Sequence, residues 1–195
     1  MRDTGLQAGI LLRGAVYSAE GELAHEIIQP GHSFVQAFPN ILVNYMSAGA
    51  INPTIDDTGG TSRVLSSAGF FLDASAAEAI ATNGIVVGTG TTAVAMTDTK
   101  LVTQIAEGSG AGQLNHLVQQ FTPVAIITAT NNISLIRIFV NNSGSAITVK
   151  EVGLYVKNIV GGVYRNFCMC RDLLTVTVNA GQILIIQYQL VFNLT

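Results

Sequence analysis

The sequence predicts a mainly β protein, an antiparallel β-sandwich of jelly-roll-like type with a short helical insertion near residues 33–48. Three observations carry this reading. The C-terminal third is a series of β-branched runs broken by Gly/Asn turns at the spacing of an all-β sandwich. Charged residues are 11% of the 195, where about 25% is ordinary, while 49% are hydrophobic and 20 are glycine. Only one segment, beginning after Ser33, repeats apolar residues at spacings of three and four.

Residues 1–30 hold Gly5, Gly9, Gly14 and Gly21 among short apolar runs, with a turn-like Ser18-Ala-Glu-Gly21, and read as an N-terminal arm or small hairpin. Residues 31–195 then form a single domain. Ser33 stands where an N-cap would, and Phe34, Val35, Phe38, Ile41, Leu42, Tyr45 and Met46 follow at helical spacing. Phe34, Phe38, Leu42 and Tyr45 are the candidate contact face of this helix. Pro39 is expected to kink or divide it, because proline removes an amide donor and crowds the preceding turn. Residues 50–62 combine turn formers with little apolar content and read as an exposed loop.

Val64-Leu65, Gly69-Phe-Phe-Leu72 and Ile85-Val-Val87 are short strand candidates, and Ala74–Ala81 is open to one or two helical turns instead. Ile133–Val140 and Ile147–Val156 flank Asn141–Ser145 and read as a hairpin. In the second of these the apolar positions change parity, from Ile147 and Val149 to Val152, Leu154 and Val156, so a bulge is expected between Lys150 and Gly153. A third strand spans Val163–Arg171. Leu174, Val176 and Val178 then alternate with threonines, and after Asn179–Gln182 a last strand alternates from Leu184 to Leu194.

Chemistry-bearing motifs are weak. Gly88-Thr-Gly-Thr-Thr-Ala93 has the G-x-G-x-x-A spacing of a dinucleotide turn, but no amphipathic helix follows to present its amides to a pyrophosphate. A glycine turn between strands is the better reading. Asp56-Asp57 is either a solvated turn or, less aptly, a calcium loop, since its oxygen donors lack the spacing of a defined one. Cys168 and Cys170 share a strand face about 6–7 Å apart, too far for an easy disulfide, and read as buried thiols. His25, His32 and His116 are far apart in sequence. No catalytic residue, cofactor or metal is expected, and the chain does not read as an enzyme.

Arg137, Glu151, Arg171 and Asp172 are charges within the most apolar region of the chain. An unpaired buried charge costs several kcal/mol, so these four are expected to pair with one another or to meet at a chain interface, with exposure at sheet edges as the alternative. A net charge of −3 and nine Lys+Arg give no field for nucleic acid. There is no apolar run of about 18 residues and no secretory leader, so a soluble chain made in the cytoplasm, with no membrane partner, is expected. So few charges leave apolar surface to be covered by other chains, which predicts a homo-oligomer.

The order of elements is familiar. It runs through Gly31-His-Ser-Phe-Val35, Ile85-Val-Val-Gly-Thr-Gly-Thr-Thr92, Asp98-Thr-Lys-Leu101 and Ile105-Ala-Glu-Gly108. It continues through Arg137-Ile-Phe-Val-Asn-Asn-Ser-Gly144, Ile147-Thr-Val-Lys-Glu-Val-Gly-Leu-Tyr155 and Arg171-Asp172. Over residues 30–195 this set resembles a group of uncharacterised structural proteins of tailed bacteriophages and prophages. The resemblance implies a virion component of the capsid surface, neck or tail, an oligomeric β-sandwich in contact with other virion proteins, and no catalytic residues. An arm over residues 1–25 packed on a neighbouring copy would make its deletion weaken assembly and spare the fold. A receptor- or glycan-binding fibre module is the alternative function, disfavoured by the absence of Trp and by 7% aromatics.

Overall fold

Alternation of large apolar side chains places the first strand. In the computed structural model, which describes residues 6–31, 34–65, 72–127 and 130–194, β1 (Leu6–Tyr17) turns Ile10, Leu12 and Val16 into the core. It returns through Ser18–Glu22 as β2 (Leu23–Gly31), which is exposed along most of its length. The helix α1 (Ala37–Met46) buries Ala37, Ile41 and Asn44. Next come the short strands β3 (Thr54–Asp56) and β4 (Ser62–Val64), then the fully buried β5 (Gly84–Gly88). The C-terminal half supplies β6 (Asn115–His116), β7 (Gln120–Ile127), β8 (Thr130–Val140), β9 (Ile147–Val160), β10 (Val163–Val178) and β11 (Ile183–Leu194).

The fold is mainly β and its ladders are antiparallel. One six-stranded sheet runs β2-β1-β11-β8-β6, with β7 also on β8; a three-stranded sheet runs β10-β9-β5; β3 and β4 pair alone. Leu12, Val16, Phe139, Leu184, Ile186 and Tyr188 of the larger sheet share one core with Val149, Val152, Phe167 and Val176 of the smaller.

Several expectations change here. The segment 1–30 is a hairpin over its described part, but not a detachable arm, because β1 pairs with β11 along twelve residues, from Leu6↔Leu194 to Tyr17↔Ile183. Deleting it would open the core rather than spare it. The expected hairpin of residues 133–140 with 147–156 is absent: β8 pairs with β11 and β9 pairs with β10. Asn141 explains the crossing. Its side-chain amide donates to the Ser145 and Val178 carbonyls at 2.8 and 2.7 Å, and its backbone bonds Gln182 and Gly181, so two turns are stacked and the chain passes between sheets.

The strands expected at 163–171 and 174–178 are one strand, β10, since Asp172 and Leu173 stay on the β9 ladder. The β9–β10 ladder has two irregularities, one opposite Lys150, where Glu151↔Leu173 is followed by Val149↔Val176, and one at Met169, between Cys168↔Tyr155 and Cys170↔Leu154, and in both the extra residue belongs to β10. The helix is shorter than predicted. Phe34 precedes it, bridging Cys170, and Ser33 lies outside the described residues, as do His32 and all of the Gly69-Phe-Phe-Leu72 strand candidate except Leu72. Pro39 does not break α1, because it occupies the first turn, where amides have no intrahelical acceptor to lose. Residues 74–81 form no helix, and the loop predicted at 50–62 contains β3 and its turn, with the paired strand β4 beginning at Ser62.

Candidate functional site

The four charged residues singled out from sequence are all buried, but they occupy three places. Arg171 and Glu151 form the first, on neighbouring strands of the smaller sheet. Arg171 Nε donates to Glu151 Oε2 at 2.9 Å, and both side chains are wholly shielded from solvent. Arg171 Nη1 reaches Asp98 Oδ2 at 2.8 Å and Nη2 reaches the Thr92 carbonyl at 2.8 Å. Burial works against the guanidinium charge, but Asp98 and Glu151 outweigh it and hold the pKa above its ordinary value.

Glu151 is shared between the arginine and the backbone of the 88–103 loop. Its Oε1 accepts from Gly90 N at 3.0 Å and Thr103 N at 2.7 Å, and its Oε2 accepts from Val102 N at 3.0 Å. Both limbs of the loop therefore hang on one carboxylate. This explains the G-x-G spacing. A Cβ at Gly88 would lie 2.5 Å from the Thr103 carbonyl oxygen and 2.6 Å from Glu151 Oε1, and one at Gly90 would collide with the same carboxylate. The glycines admit an anion, as in a phosphate-binding turn, but the anion is a side chain of the protein itself.

Arg137 is the second place, and among the described residues it meets no carboxylate. Its Nε donates to the Leu117 carbonyl at 2.9 Å, Nη1 to those of Asn83 and Ile85 at 3.0 and 2.9 Å, and Nη2 to those of Ile80 and Ala77. Five carbonyls thus solvate the cation and fasten the 77–85 and 117 segments to β8. Burial still lowers its pKa to about 10. His116, packed edge-on against Phe139 with ring centroids 5.0 Å apart, is fully buried, and among the described residues neither ring nitrogen has a hydrogen-bond partner. Burial first, and the Arg137 charge second, push its pKa down to about 4. Glu107 lies beside it, its oxygens accepting from His116 N and Asn115 Nδ2 at 2.6 and 3.0 Å.

Asp172 is the third place, facing the core, where Tyr188 donates its hydroxyl to Oδ2 at 2.9 Å. Cys168 and Cys170 are free and buried, and burial raises both thiol pKa values, so they are neutral at physiological pH. Asp57 is not a solvated turn. Its Oδ1 accepts from Gly59 N and Thr61 N, both at 3.0 Å, and Oδ2 from Arg63 Nε at 2.7 Å, which closes the β3–β4 turn. Among the described residues no group of three or more His, Cys, Asp and Glu is placed to hold a metal ion, and no helix is long and apolar enough to cross a membrane.

The candidate helix face divides. Phe34 and Phe38 stack at 3.8 Å between centroids and pack against the core beside Leu154, Met169 and Tyr188, lining an apolar cleft of about 240 Å³. Leu42 and Tyr45 are exposed, together with Met46. Sequence reasoning missed Asp98, Gln119 and Glu107. Gln119 links the sheets by accepting from Ile85 N at 2.9 Å and donating to the Ile136 carbonyl at 3.1 Å. Only Asp98 carried a signal, as the acid closest in sequence to the glycine turn.

Buried, internally satisfied charges of this kind order loops on a scaffold. Comparison with protein-family models, with curated proteins and with solved structures finds no match for the chain.

Proposed function

We propose that this chain is a structural component of a bacteriophage virion, at the capsid surface, neck or tail, which acts by symmetric self-assembly and contact with other virion proteins. In this reading the two sheets are the layers of a jelly-roll-like sandwich. The nesting of β9 and β10 in one sheet between β8 and β11 in the other supports that architecture.

The observation that carries the reading is the unburied apolar surface of a charge-poor chain. On the face of the larger sheet turned from the core, Leu11, Ile136, Ile138, Val140, Ile183 and Ile185 are each only partly covered. Leu23, Ile28, Tyr45 and Met46 are exposed outright. A repeated position in a shell or tube buries such surface against neighbouring copies.

Light scattering after size-exclusion chromatography tests it. A defined ring or other closed oligomer is the expected result. A monomer at every concentration would refute assembly and turn attention to the fibre-module alternative.

A further inference from the structure

One exposed turn of this protein is both strained and tightly fastened. In Ala77–Ile80 every residue is exposed, and Ala79 holds a φ of 62°, a left-handed conformation that residues with a Cβ avoid unless their surroundings impose it. Two residues impose it here. Ala79 N donates to the His116 carbonyl at 2.9 Å, and Arg137 Nη2 donates to the Ala77 carbonyl at 3.4 Å and to that of Ile80. The segment has a fixed point at each end. The Ala76 carbonyl accepts from Gln119 N at 2.8 Å, and the buried Asn83 donates through Nδ2 to the Ser75 carbonyl. Between them the exposed Gln104 side chain adds a bond to the Ala81 carbonyl. Residues 77–82 can therefore move without releasing either end.

The His116 ring beside this turn is an anomaly. It is wholly shielded from solvent, and among the described residues neither nitrogen has a hydrogen-bond partner, which is rare for a buried polar group. The charged groups set about it are Arg137 of β8 and Glu107 of the segment before β6, whose oxygens are engaged by His116 N and Asn115 Nδ2. Glu78, in the turn itself, is exposed. A protonated ring would call on the Ile80 carbonyl, which Arg137 Nη2 already holds. Two cations would then bear on one oxygen. Arg137 can give way at that point, because Nε and Nη1 keep the carbonyls of Leu117, Asn83 and Ile85. Moving Ile80, already 39% exposed, uncovers little apolar surface.

We infer that residues 77–82 are an acid-released latch: protonation of His116 lifts this turn from β6 and β8 while the two sheets stay folded. Opening relieves the left-handed Ala79 and lets water reach the imidazolium. It also leaves two cations, His116 and Arg137, facing solvent at the β6 end of the larger sheet. The closed turn binds fewer protons than the open one, so acid favours opening. Burial first, then the Arg137 charge, hold the closed ring at a pKa of about 4, against about 6.5 when hydrated, so the opening equilibrium shifts roughly a hundredfold between pH 7 and pH 4.

Amide exchange of the full chain, corrected for intrinsic rates and followed at low urea concentrations, tests the latch. The Ala79 amide is expected to exchange through an opening that urea hardly accelerates, and about a hundredfold more readily at pH 4 than at pH 7. Val152, flanked by β5 and β10, is expected to exchange only through urea-sensitive unfolding. His116→Phe should abolish the pH response at residue 79, and Glu107→Gln should keep it. Ala79→Val, a β-branched side chain at a left-handed position, should raise opening about fivefold at both pH values with the pH ratio unchanged. Exchange at residue 79 that merges with that of Val152 at every urea concentration overturns the latch. So does a pH response that survives His116→Phe or vanishes in Glu107→Gln, or a turn that opens no more readily in Ala79→Val.

Discussion

Replacing Glu151 with alanine should detach the 88–103 loop from the smaller sheet. The cost follows from the partners left behind. Arg171 keeps Asp98 and the Thr92 carbonyl, so its charge is not stranded, but it loses its fully buried counter-ion. Breaking a buried pair costs about 3–5 kcal/mol when the survivor is uncompensated, and about 2 kcal/mol is reasonable where one carboxylate remains. Gly90 N loses its acceptor in a buried setting, at about 1–3 kcal/mol, while the Val102 and Thr103 amides are partly shielded and regain water more easily. The sum is about 4 kcal/mol. For a chain of this length that lowers the melting temperature by roughly 8–16 °C. Urea titration at neutral pH measures the loss, and amide exchange locates it, with protection falling at Gly90, Val102 and Thr103. A loss below about 1 kcal/mol with those amides still protected would refute the reasoning that the carboxylate holds the loop.

Two further perturbations have definite outcomes. His116 is neutral in the folded protein down to a pKa of about 4 and titrates near 6.5 when unfolded, so stability is full above pH 6.5 and falls as the pH drops toward 4, by about 3 kcal/mol in total. Replacing it with Phe should flatten that part of the urea-midpoint profile, and an unchanged pH slope in His116→Phe would contradict the assignment. Deleting Leu6–Tyr17 should abolish cooperative unfolding, because Leu12 and Val16 leave the core and β11 loses a twelve-residue partner; a cooperative melt from the truncated chain would show that β1 is dispensable.

Elements that end in the core were readable from their own residues. The alternation from Leu184 to Leu190 gave β11, because a period of two reports directly on burial, and the unbroken apolar run Ile85-Val-Val87 gave β5, which is buried on both faces. What the local pattern does not contain is the identity of a strand's neighbour. β8 and β9 are joined by a turn rich in Asn, Ser and Gly, as a hairpin would be, and only the bonds from Asn141 to Val178 and Gln182 reveal that the turn redirects the chain to the other sheet. The charged cluster was legible to the same degree. From their apolar surroundings Arg137, Glu151, Arg171 and Asp172 were expected to pair with one another or to meet at a chain interface, with exposure at sheet edges left open; all four are buried, and Arg171 and Glu151 pair with each other. Arg137 was not separable from it, because carbonyl groups, its actual partners, are present at every residue and leave no trace in composition. Likewise the G-x-G turn showed that something must approach the backbone closely, and could not show that a glutamate 61 residues from Gly90 is what approaches.

The adjacency of β1 and β11 sets an order of events during synthesis. Leu6 lies opposite Leu194, so the larger sheet joins two strands separated by most of the 195 residues. Until β11 has left the ribosome, the β1–β2 hairpin has nothing to fasten it to β8, and the rest of the chain must wait in a partly collapsed form, with a slow closing step expected from such long-range pairing. Before β11 is made, β2 is held only by its hairpin with β1, whereas afterwards it belongs to a six-stranded sheet, so the geometry of this edge is fixed by the strand most distant from it in sequence.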